Sequence, residues 1–413
     1  MADPGTTAAP SELALPPSLG GTFLCFLRLG LTSFGGPVAH LGYLHEEFVR
    51  KRRCMDEATF ADLVALCQFL PGPASSQLVF ALGMRFRRLP GALLASAGFL
   101  LPSAALMIAF AYGVDALGAS GDARWIHGLK LAAVAVVAQA VWSMGRRLCP
   151  DLARGAIAAG AAALTLAAGS AFGQVSAIAI GALAGWLVFA RSEPPAQAAV
   201  PATGPHLSAG HLWASTALAL FALLLVILPV AVAFGAAPWV RLFDSFYRSG
   251  SLVFGGGHVV LPLLRAELVP KGWIGDARFL AGYGAAQAVP GPLFSFAAYL
   301  GTVITGGSRA WLGGLGCLAA IYLPAWLLIG GAVPFWDSLR SQRWARSALK
   351  GSNAAVVGVL FAAFCNPVWP QGVRGLPDMI LVAIAFALLE VRRTPPWIVV
   401  GLCAIATAFI HAL

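Results

Sequence analysis

Charge is what this sequence has least of. Only 44 of its 413 residues are Asp, Glu, Lys or Arg, 11% of the chain, against about 25% in soluble domains. So few charges cannot cover a soluble surface. Other absences narrow the function. There is no G-x-x-x-x-G-K-[ST] loop to cradle nucleotide phosphates, which argues against ATP-driven pumping by this chain. His45-Glu46-Glu47-Phe48-Val49 begins like a zinc-protease H-E-x-x-H but has no second histidine, and no G-x-S-x-G nucleophile turn occurs. The seven cysteines, Cys25, Cys54, Cys67, Cys149, Cys317, Cys365 and Cys403, form no C-x-x-C pair. They read as small buried hydrophobes, with neither a disulfide framework nor a zinc site. No basic residue precedes Arg28, so residues 1–20 lack the charged head of a cleavable signal peptide. No cofactor, no metal and no enzymatic activity are expected.

What remains is apolar. Hydrophobic residues make up 59% of the chain, and 47 glycines let helices approach closely. The expected fold class is all-α, a polytopic membrane protein. Its net charge of +10 is gathered in short loops between apolar runs, which is the positive-inside pattern. No basic stripe with stacking aromatics is present, so nucleic acid is not an expected partner.

Crossing a hydrocarbon core of roughly 30 Å takes about 20 apolar residues. Charge-free windows run over 89–114, 212–240, 279–308, 310–336, 351–373 and 394–413. Residues 155–190 are also charge-free but too long for one crossing, and Gly169 to Gln174 offers a turn between two helices. Weaker windows lie at 20–45, 63–84, 125–145, 243–264 and 375–391. Residues 192–211, rich in Pro, Ala and Gly, form a cytoplasmic linker between a first membrane repeat (1–191) and a second (212–413).

The repeat is visible residue by residue. Phe26, Arg28, Gly30, Phe34, Gly35, Gly36, Glu47, Lys51 and Asp56 recur 220 positions on as Phe246, Arg248, Gly250, Phe254, Gly255, Gly256, Glu267, Lys271 and Asp276. After a slip of one residue, Phe60, Gln68, Pro71, Gly72 and Pro73 recur as Phe279, Gln287, Pro290, Gly291 and Pro292. Composition bias does not reproduce an ordered set of this kind. Placing the basic loops in the cytoplasm puts 17 Lys/Arg inside and 8 outside, with Arg28 and Arg248 left in their spans. The two repeats then point in opposite directions, the inverted-topology architecture of many secondary transporters.

Both flanks of 60–84 are basic, which predicts a re-entrant hairpin turning at Pro71-Gly72-Pro73, with arms of about 11 residues or roughly 16 Å. A cytoplasmic N-terminus and linker require 20–45 and 243–264 to turn back as well, at Gly35-Gly36-Pro37 and Gly255-Gly256-Gly257. Broken helices leave backbone groups free at membrane depth, which is tolerated only inside protein or along a wet cavity. Helix N-termini at such breaks attract anions. The competing reading is of kinks and close-packing glycines, the role expected of Gly160. Polar neighbours of the breaks, Gln68, His258 and Gln287, favour the functional one. An intramembrane Arg such as Arg28 or Arg248 is either an anion ligand or an interfacial anchor. Glu47 and Glu267 are either gating or coupling groups or solvated loop carboxylates. His40 does not align with His258 and reads as structural. Asn353 and Gln139 read as interhelical glue.

The motif F-x-R-x-G-x-x-x-F-G-G followed by P-G-P, given twice around a central linker, resembles the chromate transporter family in its long two-domain form, from about Thr22 to the end. The resemblance implies export of chromate, a sulfate-like tetrahedral oxyanion, from the bacterial cytoplasm, with chromate resistance as the outcome. A multi-pass inner-membrane location is expected, and the 17 to 8 charge count puts the N-terminus in the cytoplasm. By position the family's motif residues are Arg28, Phe34, Gly35, Gly36, Pro71, Gly72 and Pro73, and Arg248, Phe254, Gly255, Gly256, Pro290, Gly291 and Pro292. Gly257 departs from the first repeat, which has Pro37 there. Expected partners are the oxyanion, sulfate as another candidate substrate, and membrane lipid; a homodimer stays open. A dianion leaving a cell negative inside gains ~4.6 kcal/mol per 100 mV, enough for a gradient above ~10³-fold.

Overall fold

The computed structural model describes residues 18–116, 124–191, 211–254, 257–336 and 342–410. Among these residues the secondary structure is helical, without strands. The first half comprises α1 (Leu19–Thr32), α2 (Gly36–His45), α3 (Glu57–Phe69), α4 (Ala74–Ala116), α5 (Arg124–Leu148), α6 (Leu152–Ala168) and α7 (Ala171–Phe189). An intervening α8 (His211–Ala233) leads into α9 (Pro238–Ser251), α10 (Val260–Leu268), α11 (Asp276–Ala288), α12 (Phe296–Thr305) and α13 (Ala310–Ala332). The chain ends with α14 (Arg343–Ala363), α15 (Leu376–Glu390) and α16 (Pro396–Ile410). Six described helical stretches are long and apolar enough to cross a membrane; the chain is an all-α polytopic membrane protein.

Capping explains several helix starts. The Ser18 hydroxyl accepts from the Gly21 N–H at 2.9 Å, Asp56 from Thr59 N–H at 2.7 Å, and Asp151 from Arg154 N–H at 2.9 Å. Each satisfies a donor the first turn leaves open. The turn expected inside 155–190 falls at Gly169, in the left-handed region, and Ser170, which caps α7.

The chain reverses within α4 and at four short hairpins. α4 reverses at Arg87 and Arg88, whose backbone leaves the helical region, so that a short arm (74–86) packs on a long arm (89–116). A Cβ on Gly83 would lie 2.7 Å from the Ala95 side chain, a contact no straight helix permits. α3 and the short arm of α4 form a hairpin around Pro71-Gly72-Pro73. At its open end the Phe48 and Phe86 rings lie 5.2 Å apart. There too the Thr59 N–H, aided by nearby Arg85, holds the Asp56 carboxyl below the usual carboxylate range. α1 and α2 also turn back, bringing Phe26 to Phe48 at 5.2 Å. α9 with α10, joined by Arg248–Glu267, and α11 with α12, joined by the Phe279 and Phe296 rings at 5.1 Å, do the same.

Contacts sort the loops into two ends. At one end the basic stretches 50–53 and 85–88 come together, next to the Phe48 and Phe86 rings 5.2 Å apart, and Trp336 Nε1 donates to Asp62 of α3 at 3.0 Å. At the other Arg278 pairs with Asp115 at 3.5 Å, and Tyr112 donates to the Ser308 carbonyl at 3.2 Å. Corresponding helices exchange partners: α14 packs on α6 and α7, and α5 on α15 and α16. Gly30 of α1 rests on the Phe99 carbonyl of α4 as Gly250 of α9 rests on the Ile321 carbonyl of α13. Gly160 corrects an expectation. Nothing lies within 4 Å of its Cβ position, so it packs against no helix, and that work falls to Gly181, Gly351 and Gly358.

Candidate functional site

The four breaks meet. The Gly72 N–H donates to the Val253 carbonyl at 2.7 Å, and the Gly291 N–H donates to the Ser33 carbonyl at 2.8 Å. Each P-G-P glycine is thus bonded to the residue just before the F-G-G motif of the other half. A Cβ on Gly257 would stand 3.6 Å from Pro37 and 3.8 Å from Leu293, closing the ring of contacts. These turns need glycine: φ is 127° at Gly72 and 99° at Gly291, and 99° and 79° at Gly35 and Gly36.

Polar groups gather here. His40 is buried, its Nε2 3.1 Å from the Ser33 carbonyl and its Nδ1 3.4 Å from Ser75 Oγ. His258 Nδ1 lies 2.8 Å from the Tyr283 hydroxyl, and Gln287 Nε2 is buried with no hydrogen-bond partner among the described residues. Gln77 Nε2 donates to the Pro71 carbonyl at 2.8 Å. Ser33 Oγ and Gln77 Oε1 are buried and have no hydrogen-bond partner among the described residues. The carbonyls of Ser33, Pro71 and Val253 already accept protein N–H groups, while α2 and α4 begin at breaks and α10 and α12 begin just beyond them. The helix starts bring N-terminal partial charge to the breaks, and among the described residues none of the hydrogen bonds named here involves a carboxylate. Such a place suits an anion. Among the described residues no group of three His, Cys, Asp or Glu could hold a metal ion.

Of the residues singled out by sequence, Phe34, Gly35, Gly36, Pro71, Gly72, Pro73, Phe254, Gly257, His258, Gln287, Pro290, Gly291 and Pro292 lie at or beside this meeting point. Gly255 and Gly256 lie outside the described residues. Phe34 is half-buried, its ring 5.9 Å from Trp397. Gln68 is exposed at the end of α3, whereas Gln287 is half-buried. The arginines and glutamates form no part of the meeting point. Arg28 is exposed on α1. Arg248 spends its fork on two buried carboxylates, pairing with Asp244 at 2.8 Å and with Glu267 at 2.7 Å. Lys271 joins Glu267 at 2.8 Å. Glu47 instead takes Arg52 Nε at 2.6 Å. Position 24 is leucine where the second half has Asp244, so the two clusters cannot be alike.

Lys130 escaped the sequence reading, which counted it with the outer loops. It lies inside α5 and is 1% exposed. One turn earlier His127 Nε2 lies 3.0 Å from Asp378, both buried. A signal was available: Lys350 stands 220 residues on.

A family model described as "Chromate transporter" matches the chain twice, over residues 21–186 and 240–408. A "Chromate transport protein" of Pseudomonas aeruginosa is 31% identical over 366 residues, 86% of this chain and 83% of that protein. One of Cupriavidus metallidurans is 26% identical over 413 residues, 96% of this chain and 95% of that protein. An uncharacterized transporter of Bacillus subtilis is 29% identical over 168 residues, 40% of this chain but 83% of that protein. No solved structure matches.

Proposed function

The chain belongs to the chromate transporter family, and from that premise we propose that it is a secondary transporter exporting chromate from the bacterial cytoplasm, so conferring chromate resistance. The observation that carries the reading is the junction of four helix breaks, tied by the reciprocal Gly72–Val253 and Gly291–Ser33 hydrogen bonds. In this reading the oxyanion sits among the helix N-termini, with the unpartnered Ser33 hydroxyl on one side and Gln287 Nε2, beside His258 and Tyr283, on the other. The motif residues act by opening the backbone. Their prolines withhold N–H groups and their glycines adopt backbone angles that free neighbouring ones.

The reading includes two repeats of opposite orientation, one on each side of the linker. Support comes from the separation of loops into a basic end and an opposite end, with the α1–α2 and α3–α4 hairpins opening at the first and their counterparts at the second. The half-length relative also favours a half-chain as the ancestral unit. The basic end faces the cytoplasm of an inner-membrane protein by the positive-inside rule, and the membrane potential drives the dianion outward.

Inverted membrane vesicles containing the protein are expected to accumulate labelled chromate, with sulfate competing and neutral solutes not. Cells expressing it should grow at chromate concentrations that stop control cells. Vesicles that accumulate sulfate but not chromate would reassign the substrate.

A further inference from the structure

The two P-G-P turns rest on matching helices that carry different side chains. A Cβ on Gly72 would stand 3.0 Å from Ala325 of α13, and one on Gly291 would stand 3.0 Å from Ser103 of α4. Ala325 and Ser103 correspond at the offset of 222 that also pairs Pro324 with Pro102. Beside Ala325 stand Tyr322 and Trp326, where the other half has Leu100 and Ala104. The Ser103 hydroxyl is already spent on the Leu100 carbonyl at 3.0 Å. Free donors are thus gathered at the first turn only.

These donors share one seam. Trp326 stacks on Phe80 of the short arm of α4 at 6.0 Å, and one turn further along both helices the Met84 side chain lies 3.4 Å from the Cβ position of Gly330. The short arm and α13 therefore run side by side in the same direction. One turn back Ser76 faces Tyr322, the two hydroxyls not hydrogen-bonded to each other. Tyr322 in turn stacks on Trp326 at 5.9 Å and meets Phe294, two residues past the second P-G-P turn, at 5.7 Å. The seam so joins both breaks at the middle of the 23-residue α13.

Ser76 and Tyr322 are 2% and 0% exposed. Ser76 Oγ, the Tyr322 hydroxyl and Trp326 Nε1 are all sealed from solvent, and none has a hydrogen-bond partner among the described residues. Unpaired donors at such depth are costly, and a phenylalanine would fill the place of Tyr322 without that cost. All three can donate, and the indole can do nothing else. Ser76 also lies in the first turn of the short arm (74–86), where the helix N-terminus is partly positive.

We propose that Ser76, Tyr322 and Trp326 form an oxyanion subsite on the α13 side of the first break, closed in the state seen here and opened when the short arm of α4 parts from α13. It takes a tetrahedral oxyanion, chromate or sulfate, through three neutral donors and the N-terminus of that arm. The second break has no equal, because Leu100 and Ala104 offer no donor. This deepens the transport reading above and rests on it.

The test uses the full-length purified protein, with chromate and sulfate as probes, calorimetry for affinity and thermal melting for stability. Tyr322→Phe, Trp326→Phe and Ser76→Ala should each weaken binding roughly ten- to hundredfold, the worth of a hydrogen bond to a charged group, and Ser76→Thr should restore part of it. Without ligand, Tyr322→Phe should melt no lower than wild type, since the hydroxyl it removes bonds nothing in the fold. A lower melting temperature would mark that hydroxyl as structural and count against the subsite. Tyr299→Phe is the control: its hydroxyl already donates to the Arg278 carbonyl at 3.0 Å, and affinity should stay at the wild-type value. Saturating sulfate should change the tryptophan fluorescence of the wild type but not of Trp326→Phe, because parting the seam unstacks Trp326 from Phe80. If Trp326→Phe fails to fold, Tyr322→Phe and the two Ser76 variants decide. Wild-type affinity in folded Tyr322→Phe or Ser76→Ala protein would overturn the subsite. A wild-type protein that neither binds nor transports chromate or sulfate would instead remove the transport reading, and this subsite with it.

Discussion

At Gly72 and Gly291 a side chain meets two obstacles at once. The backbone stands at φ 127° and 99°, which L-residues rarely adopt. The space is also taken, by Gln77 at 2.8 Å and Ala325 at 3.0 Å in the first case and by Ser103 at 3.0 Å in the second. Gly72→Leu and Gly291→Leu should therefore abolish chromate binding by calorimetry, while Gly160→Leu, with nothing within 4 Å, should express and bind normally. The two arginines part company at this scale. Sequence makes Arg28 and Arg248 equals, but only Arg248 neutralises buried carboxylates. Arg248→Ala should cost about 3 kcal/mol, because two buried charges lose their main partner, and should lower the melting temperature and membrane yield. Arg28→Ala should change melting little, since exposed positions without ion pairs contribute under about 0.5 kcal/mol. What separates them is Leu24 against Asp244, one residue a turn away, whose effect is invisible until the helix is packed.

Among the elements, the hairpins decide the topology. Each arm of α3–α4 is about 13 residues, roughly 20 Å of helix, too short to cross and long enough to reach the middle. The basic flanks of 60–84 and the prolines at its centre made this hairpin legible from sequence. The α1–α2 and α9–α10 hairpins were not legible from local pattern, because a glycine pair marks a kink as readily as a reversal. They followed only from the demand that both termini of the first half share a side, and ring and ion-pair contacts across each hairpin supply the geometry. Cysteine labelling checks the arrangement: Arg52→Cys should react from the cytoplasmic face and Lys271→Cys from the other. Labelling of both from one face would refute the inverted arrangement.

For the whole molecule, α8 carries the parity. In the proposed arrangement the hairpins return to the side they left, and the long arm of α4 with α5, α6 and α7 makes four crossings, so the first half would end on the side where it began. A fifth crossing by α8 is what turns the second half over in the proposed arrangement. Consistent with a connecting role, α8 lies between the two segments that match the family model. Deleting residues 211–233 while keeping the linker should therefore bring Lys271→Cys to the cytoplasmic face and abolish transport. The amino-acid sequence by itself determined the membrane class, the duplicated motif, the breaks and the basic end, because hydropathy, charge and glycine–proline chemistry act over a few residues each. Only the tertiary structure decided that the breaks bond to one another across the halves, that Arg248 is locked and Arg28 is not, and that Tyr322 and Trp326 come to the first break. Those features depend on contacts between residues tens to hundreds of positions apart, and near-identical motifs acquire different surroundings when the helices packed on them carry different side chains.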